Sequence, residues 1–171
     1  GPLFGYAFDG MIFFGAQVHG ELRFPLLKQR LGARVGMEFN FGSSSGRVTF
    51  DDLSPEATTS VGGLVVPIEA VFAVLDSKAF DLLVHAGAEL RVEQAGLRIV
   101  DDNAGGGSSV GLSGRAGLEG NIQVGKGVLY VGAGVAGIGR SLSAFSDERI
   151  TLDGSLLHVR AYAGYRYYLE F

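Results

Sequence analysis

The chain alternates apolar and polar residues over long stretches, most clearly from His158 to Phe171. Val159, Ala161, Ala163, Tyr165, Tyr167, Leu169 and Phe171 take the odd positions, while His158, Arg160, Arg166 and Glu170 fall on even ones. A period of two held this long predicts an extended strand with an oily face and a charged face. Met11–Phe24 repeats the pattern, with Ile12, Phe14, Ala16, Val18, Gly20, Leu22 and Phe24 opposite Gln17, His19, Glu21 and Arg23. Arg30–Gly42 sets Leu31, Ala33, Val35, Met37, Phe39 and Phe41 against Arg30, Arg34, Glu38 and Asn40. Asp81–Glu93 sets Leu82, Val84, Ala86, Ala88, Leu90 and Val92 against His85, Glu89, Arg91 and Glu93. In Val110–Val124, Leu112, Ala116, Leu118 and Ile122 oppose Ser113, Arg115, Glu119, Asn121 and Gln123.

Two segments are less regular. Leu64–Leu75 is oily on both faces except at Glu69, and Pro67 removes a ladder donor, which predicts a bulge there. Val128–Arg140 is rich in Gly and Ala, with Leu129, Val131, Ala133 and Val135 expected outward and Tyr130 and Arg140 inward. An even strand count needs Leu3–Phe8 as a short eighth member, joined to the next strand by a tight Asp9-Gly10 turn. The connections alternate: Pro25–Gln29, Asp76–Phe80 and Gly125–Gly127 are short, whereas Gly42–Gly62, Gln94–Ser109 and Ser141–Gly154 are long and polar. Ser43-Ser44-Ser45 and Gly105-Gly106-Gly107 read as flexible tracts within those loops.

A strand of about 13 residues, at roughly 3.3 Å each and tilted about 40°, covers roughly 33 Å, enough for an apolar band about 25 Å tall. Aromatics gather toward the strand ends, with Phe24, Phe80, Tyr165, Tyr167 and Phe171 at one rim and Phe14, Phe39 and Phe41 at the other. That spacing fits two interfacial girdles.

Composition narrows the class. Hydrophobic residues make up 47% of the 171, yet no apolar run is long enough for a spanning helix. With no cysteine, disulfides and thiolate metal sites are excluded, and a net charge of -4 offers no basic surface for nucleic acid. No signal-peptide pattern opens the chain, so an exported protein is expected here in mature form.

The terminal aromatic residue and the alternation before it resemble the closing strand of bacterial outer-membrane β-barrels. The resemblance implies that Tyr165, Tyr167, Leu169 and Phe171 form the signal read by the barrel assembly machinery. It also implies a periplasmic C-terminus, which places the three short connections in the periplasm and the three long loops outside. The expected fold is all-β, an antiparallel up-and-down transmembrane β-barrel of eight strands, as one domain over 1–171, integral to the outer membrane. The rival, a water-soluble lipocalin-like barrel with oily faces inward, is disfavoured by the strand lengths, the one-sided loops and the absence of Trp.

With charges inward, the lumen gathers Arg23, Arg30, Arg34, Arg91, Arg115, Arg140, Arg160 and Arg166 against Glu21, Glu38, Glu69, Asp81, Glu89, Glu93, Glu119 and Glu170. Eight strands leave an interior just wide enough for side chains to fill, and unpaired charge there is costly. A plugged lumen similar to OmpA- and OmpX-type barrels is therefore expected, with Arg34, Glu69, His85, Glu89, Arg115, Glu119, His158, Arg160 and Arg166 as its charge network.

The histidines His19, His85 and His158 all fall on lumen faces. Outer-membrane deacylases, phospholipase and omptins pair such residues with Ser or Asp. Here Ser113 is the sole lumen-face serine placed within a strand, and no nucleophile–base pair emerges. Neither a cofactor nor a metal is expected, since Asp51-Asp52 and Asp101-Asp102-Asn103 match no metal-loop spacing. Gly132, Gly134, Gly137 and Gly139 precede no helix, so they are no nucleotide loop and read as permitting tight curvature. Outward Gly114, Ala116 and Gly120, with Ala133 and Gly137, form a smooth stripe for a protein or acyl chain.

The expected function is non-enzymatic, structural or surface-binding through the long loops, within an envelope containing lipid and lipopolysaccharide. A partner could engage the loops or the barrel wall, and the short first strand favours one. A narrow pore or transporter for small or hydrophobic solutes is the alternative, and a lipid-modifying enzyme the next.

Overall fold

In a computed structural model, which describes residues 1–7, 10–47, 56–77, 79–99, 102–145 and 155–167, the chain forms a closed barrel. Its eight strands are β1 (Pro2–Ala7), β2 (Ile12–Arg23), β3 (Leu31–Arg47), β4 (Glu56–Asp76), β5 (Phe80–Ile99), β6 (Asp102–Val124), β7 (Gly127–Ile138) and β8 (His158–Tyr167). Each pairs antiparallel with its neighbour in sequence, and β1 closes on β8. The up-and-down topology follows from period-two segments joined by short turns, because successive strands pair most cheaply when the chain reverses at once.

The alternation sets the faces as expected along most of the wall. Val18 is 63% exposed and Leu112 70% exposed, while Arg34, Glu89 and Glu119, on the other faces of their strands, are buried. The wall is greasy outside and ionic inside.

That polarity reverses near the end of the barrel carrying the long connections. Along β5, Ala88, Leu90 and Val92 point outward and Glu89, Arg91 and Glu93 inward; then Gln94 and Arg98 are exposed and Ala95 and Leu97 buried. β4 does the same, with Thr58 exposed and Ala57 and Val61 buried. On β3 the outward row passes from Phe39 and Phe41 to Ser43 and Ser45. The inward apolar residues meet Met11, Phe13, Leu142, Phe145 and Leu156 in one core that roofs the lumen.

This second core explains where the expected loops depart from the observed elements. Gln94–Ser109 is a continuation of the β5–β6 hairpin, with only positions 100–101 between the strands, and Gly105-Gly106-Gly107 lies within β6. Ser43-Ser44-Ser45 likewise belongs to β3, and β4 begins at Glu56. The sheet continues because its inner face still has apolar residues to bury. The connection after β7 opens with a 3-10 helix, Leu142–Phe145, whose two terminal residues are buried in the roof.

Other corrections are local. The bulge in β4 is at Val74, where pairing passes from Ala73↔Leu83 to Leu75↔Leu82; Pro67 pairs in regular register with Glu89. On its other side Pro67 interrupts the β3–β4 pairing between Val35↔Ile68 and Glu38↔Val65, and the register continues unchanged with no extra residue. β1 is short and its hairpin asymmetric, since it pairs only with Ile12–Ala16 of β2 and His158–Tyr162 of β8. Its turn is therefore a short connection at the end where the long ones lie. Gly10 has φ 92 there, while Phe8 and Asp9 fall outside the described residues.

Inward glycines do more than permit curvature. A Cβ on Gly132 would overlap the Tyr162 ring, and one on Gly117 would lie 2.7 Å from His85 Nε2. They clear room for the large polar side chains of their register partners on the neighbouring strands. Gly132→Leu is expected to destabilise the barrel by about 1–3 kcal/mol through overpacking, read as a lowered midpoint in denaturant unfolding.

Candidate functional site: the charged interior

Beneath the roof, the strands aim long charged side chains at one another across a filled lumen. Near the opposite end, Arg34 of β3 donates through Nη1 to Glu119 Oε2 at 2.9 Å and through Nη2 to Glu119 Oε1 at 2.8 Å. This two-pronged contact crosses from β3 to β6 and suits the planar guanidinium. Arg34 also reaches Glu21 at 2.8 Å, and Glu119 accepts from Arg166 Nη2 at 2.9 Å. Arg166 of β8 further contacts His19 at 2.7 Å and Glu21 at 3.4 Å, both on β2. Those contacts bridge β8 to β2 where β1 does not run between them.

A second group lies at mid-barrel. Arg115 contacts Glu38 at 2.8 Å, Glu69 at 3.0 Å and Glu89 at 3.4 Å, tying β6 to β3, β4 and β5. Arg160 donates to both oxygens of Glu38, at 3.0 and 2.9 Å, and to Gln17 Oε1 at 3.1 Å. Glu69 lies 2.6 Å from His85 Nδ1, and His85 Nε2 lies 2.7 Å from the Tyr162 hydroxyl. Under the roof, Glu89 Oε1 accepts from Arg91 at 2.9 Å, Ser113 at 2.8 Å and the Gly137 amide at 2.9 Å. Gly137 has φ 74 at an irregularity between β6 and β7, which turns its N–H into the lumen. Arg91 also reaches Glu93 at 2.9 Å.

Of the residues expected in the network, Arg34, Glu119 and Arg166 form the first group, and Glu69, His85, Glu89, Arg115 and Arg160 the second. His158 is buried elsewhere: its ring stacks on Phe13 at 4.5 Å between centroids, and Nδ1 lies 2.8 Å from the Leu156 carbonyl. It belongs to the underside of the roof. Arg30 is exposed in the turn before β3, so it is not a lumen residue. The turn residues Leu27, Lys28 and Gln29 all have positive φ, and Arg30 follows them with its carbonyl accepting the Ala73 amide and its side chain exposed. Arg140 lies against the Phe145 ring and donates to Ser109 at 2.9 Å, above the network. Arg23 sits at the rim and pairs with Glu21 at 2.7 Å, while Asp81 is half-buried and opposite Asp76.

Sequence periodicity put Glu21, Glu38, Arg91 and Glu93 on lumen faces. Arg91 and Glu93 pair along β5 and Glu21 pairs with its register neighbour Arg34, whereas the partners of Glu38, which are Arg115 and Arg160, come from distant strands. Tyr162 was missed because its face was assigned by charge; its even position beside Arg160 was the available signal. Apolar residues also seal the lower lumen, where Val71, Ala73 and Leu83 cluster.

The His85 row has a carboxylate, an imidazole and a hydroxyl in hydrogen-bond sequence. All three residues are buried, with His85, Glu69 and Tyr162 at 4%, 3% and 4% exposure, so the row faces protein on every side. Its chemistry as built is orientation and charge satisfaction. Among the described residues, no three His, Cys, Asp or Glu side chains are arranged to hold a metal ion.

Elsewhere on the wall, the stripe of Gly114, Ala116, Gly120 and Ala133 is not smooth. The Phe80 ring lies 3.4 Å from the Cβ position of Gly120, and Ile138 Cβ lies 3.3 Å from that of Gly114. Neighbouring large side chains fill the space that the missing Cβ atoms leave. Tyr165 and Tyr167 point outward at the end of β8, while Leu169, Glu170 and Phe171 lie outside the described residues, as do Asp51, Asp52 and Asp101.

Compared with protein-family models, curated proteins and solved structures, the chain matches none.

Glu119→Ala leaves Arg34 and Arg166 facing each other without their shared carboxylate. The expected loss is about 3–5 kcal/mol of stability, measured by chemical unfolding. Adding Arg34→Met should recover part of it, since one of the two stranded charges is then gone.

Proposed function

We propose that this barrel is an integral protein of a bacterial outer membrane, non-enzymatic, with a sealed lumen and a structural or surface-binding role at its loop end. The observation that carries the reading is the polarity reversal along single strands. A barrel in water needs one sense throughout, with grease inward. Here the outward face is apolar from Phe80 to Val92 on β5 and polar from Gln94 onward. The apolar stretch spans roughly 30 Å at ordinary rise and tilt, the height of a bilayer's hydrocarbon core. Beyond it, the same sheet adopts the arrangement of a protein in water. Those two solvents, met in succession, account for both halves.

Strand number and an ion-paired interior make the barrel similar to OmpA- and OmpX-type proteins. In this reading the turn end faces the periplasm, the β3–β4 and β5–β6 hairpins project from the cell surface, and lipopolysaccharide surrounds the outer half. The C-terminal alternation then serves the barrel assembly machinery. The rigid projecting sheet is the part available to a partner outside the membrane, because the wall lies within the bilayer and the lumen is filled by its own side chains. Ion pairs below and an apolar roof above disfavour the pore alternative, and the enclosed His85 row disfavours lipid modification.

Depth-dependent substitution tests the reading. In vesicles, Leu118→Arg should cost about 2–4 kcal/mol and Ser108→Arg close to nothing, measured by urea unfolding. Equal tolerance of both, with a chain that stays dissolved without detergent, would overturn it. In planar bilayers the protein should carry no steady current; a steady current would favour the narrow pore.

A further inference from the structure

The outer wall is not uniform. Phe4 of β1 and Phe14 of β2 pack edge to face with ring centroids 5.4 Å apart, forming a ridge that stands out from the sheet. Beside it runs an open apolar groove of about 390 Å³, floored by Ala161 and Ala163 of β8 and walled on its far side by Val131 of β7. Phe4 pairs directly with both Phe14 and Ala161, and Val131 pairs with Ala163. Ridge and groove are therefore neighbours on one surface, side by side along the ladder.

We propose that this face is the contact between two copies of the chain, each inserting its Phe4–Phe14 ridge into the other's groove. The proposal rests on the membrane reading above. In a bilayer two copies keep the same orientation, so a two-fold axis between them must run along the membrane normal. Such an axis exchanges left and right while preserving height. A ridge and a groove side by side at one level meet that requirement, and residue i then contacts j while j contacts i. Apolar driving force is weak between surfaces already in lipid, so association there depends on close packing, which small residues under a bulky neighbour provide.

The area is sufficient. Phe4 and Tyr6 are each 46% exposed, Phe14 59%, Tyr165 51%, Val131 63% and Val159 41%, all on β1, β2, β7 and β8. With aromatic side chains offering roughly 150–250 Å² in full, complete covering of these six residues gives at most about 600 Å² per copy, or about 1,200 Å² in all, the lower bound for a specific interface. The aromatic ridge is the natural energetic centre, being rigid and large.

The chain contains no cysteine, so single introduced thiols report without background. Ala163→Cys protein, reconstituted at high lipid excess in phosphatidylcholine vesicles, is treated with a short bis-maleimide, with Ala88→Cys on another part of the wall as control. The expected result is a covalent dimer from Ala163→Cys and little from Ala88→Cys. Adding Phe14→Ala should weaken association by about tenfold or more, and adding Ala161→Phe, which fills the groove, should do the same. Heat-dependent gel mobility confirms that each variant is folded. Vesicle flotation is scored separately. Failure to float defeats the membrane reading and this proposal with it. Flotation with equal crosslinking at 163 and 88, or dimers indifferent to both added substitutions, defeats the dimer alone and leaves the groove to lipid acyl chains.

Discussion

The shared carboxylates of the interior hold the structure together. Glu119 is gripped by Arg34 and Arg166, Glu38 by Arg115 and Arg160, and Glu89 by Arg91, Ser113 and a backbone amide. All of these contacts except Glu89–Arg91, which lies within β5, join different strands, so the ionic lattice acts as a set of crossbars through a wall otherwise joined only edge to edge. The space is too filled to hydrate these charges fully, and every one must therefore find a partner in the protein. Dense pairing is what makes a charged interior tolerable, and it also makes the interior a plug.

The apolar roof solves a different problem. On the proposed membrane reading, a barrel continued beyond the hydrocarbon region loses the reason for an oily exterior but still has an interior to fill. Ala57, Val61, Ala95 and Leu97 turn inward there and meet Phe13, Leu142 and Phe145. The reversal needs no break in the strands; the polar residues simply change parity, as at Glu93 and Gln94. One continuous sheet thus carries two cores of opposite character, ionic below and hydrophobic above. The His158 ring stacks on Phe13 at their junction.

The glycines connect the two scales. Large Arg, Glu, His and Tyr side chains fit inside only because positions facing them carry no Cβ, as at Gly132 beneath Tyr162 and Gly117 beneath His85. The same economy appears outside, where the Phe80 ring covers Gly120. Small residues within this sheet are mostly occupied by a neighbour's side chain. The flank of Ala161 and Ala163 beside Phe4 and Phe14 is an apolar groove left open.

The strand count, the antiparallel order and the face of nearly every charged residue were legible from the chain, because a period of two is a local property that any pleated strand must express. The roof left a trace too, in the odd-position apolar residues Phe13, Ala95 and Leu97, yet reading it required knowing that parity can reverse within one strand. Partners across the lumen could not be read. Arg34 sits opposite both Glu21 and Glu69 in the ladders; it pairs with the first, but gives its other donors to Glu119, three strands away, and not to Glu69. His158 shares the face of Arg160 but settles against an aromatic ring. Such choices depend on which side chains converge once the sheet closes on itself, and closure is a property of the whole wall.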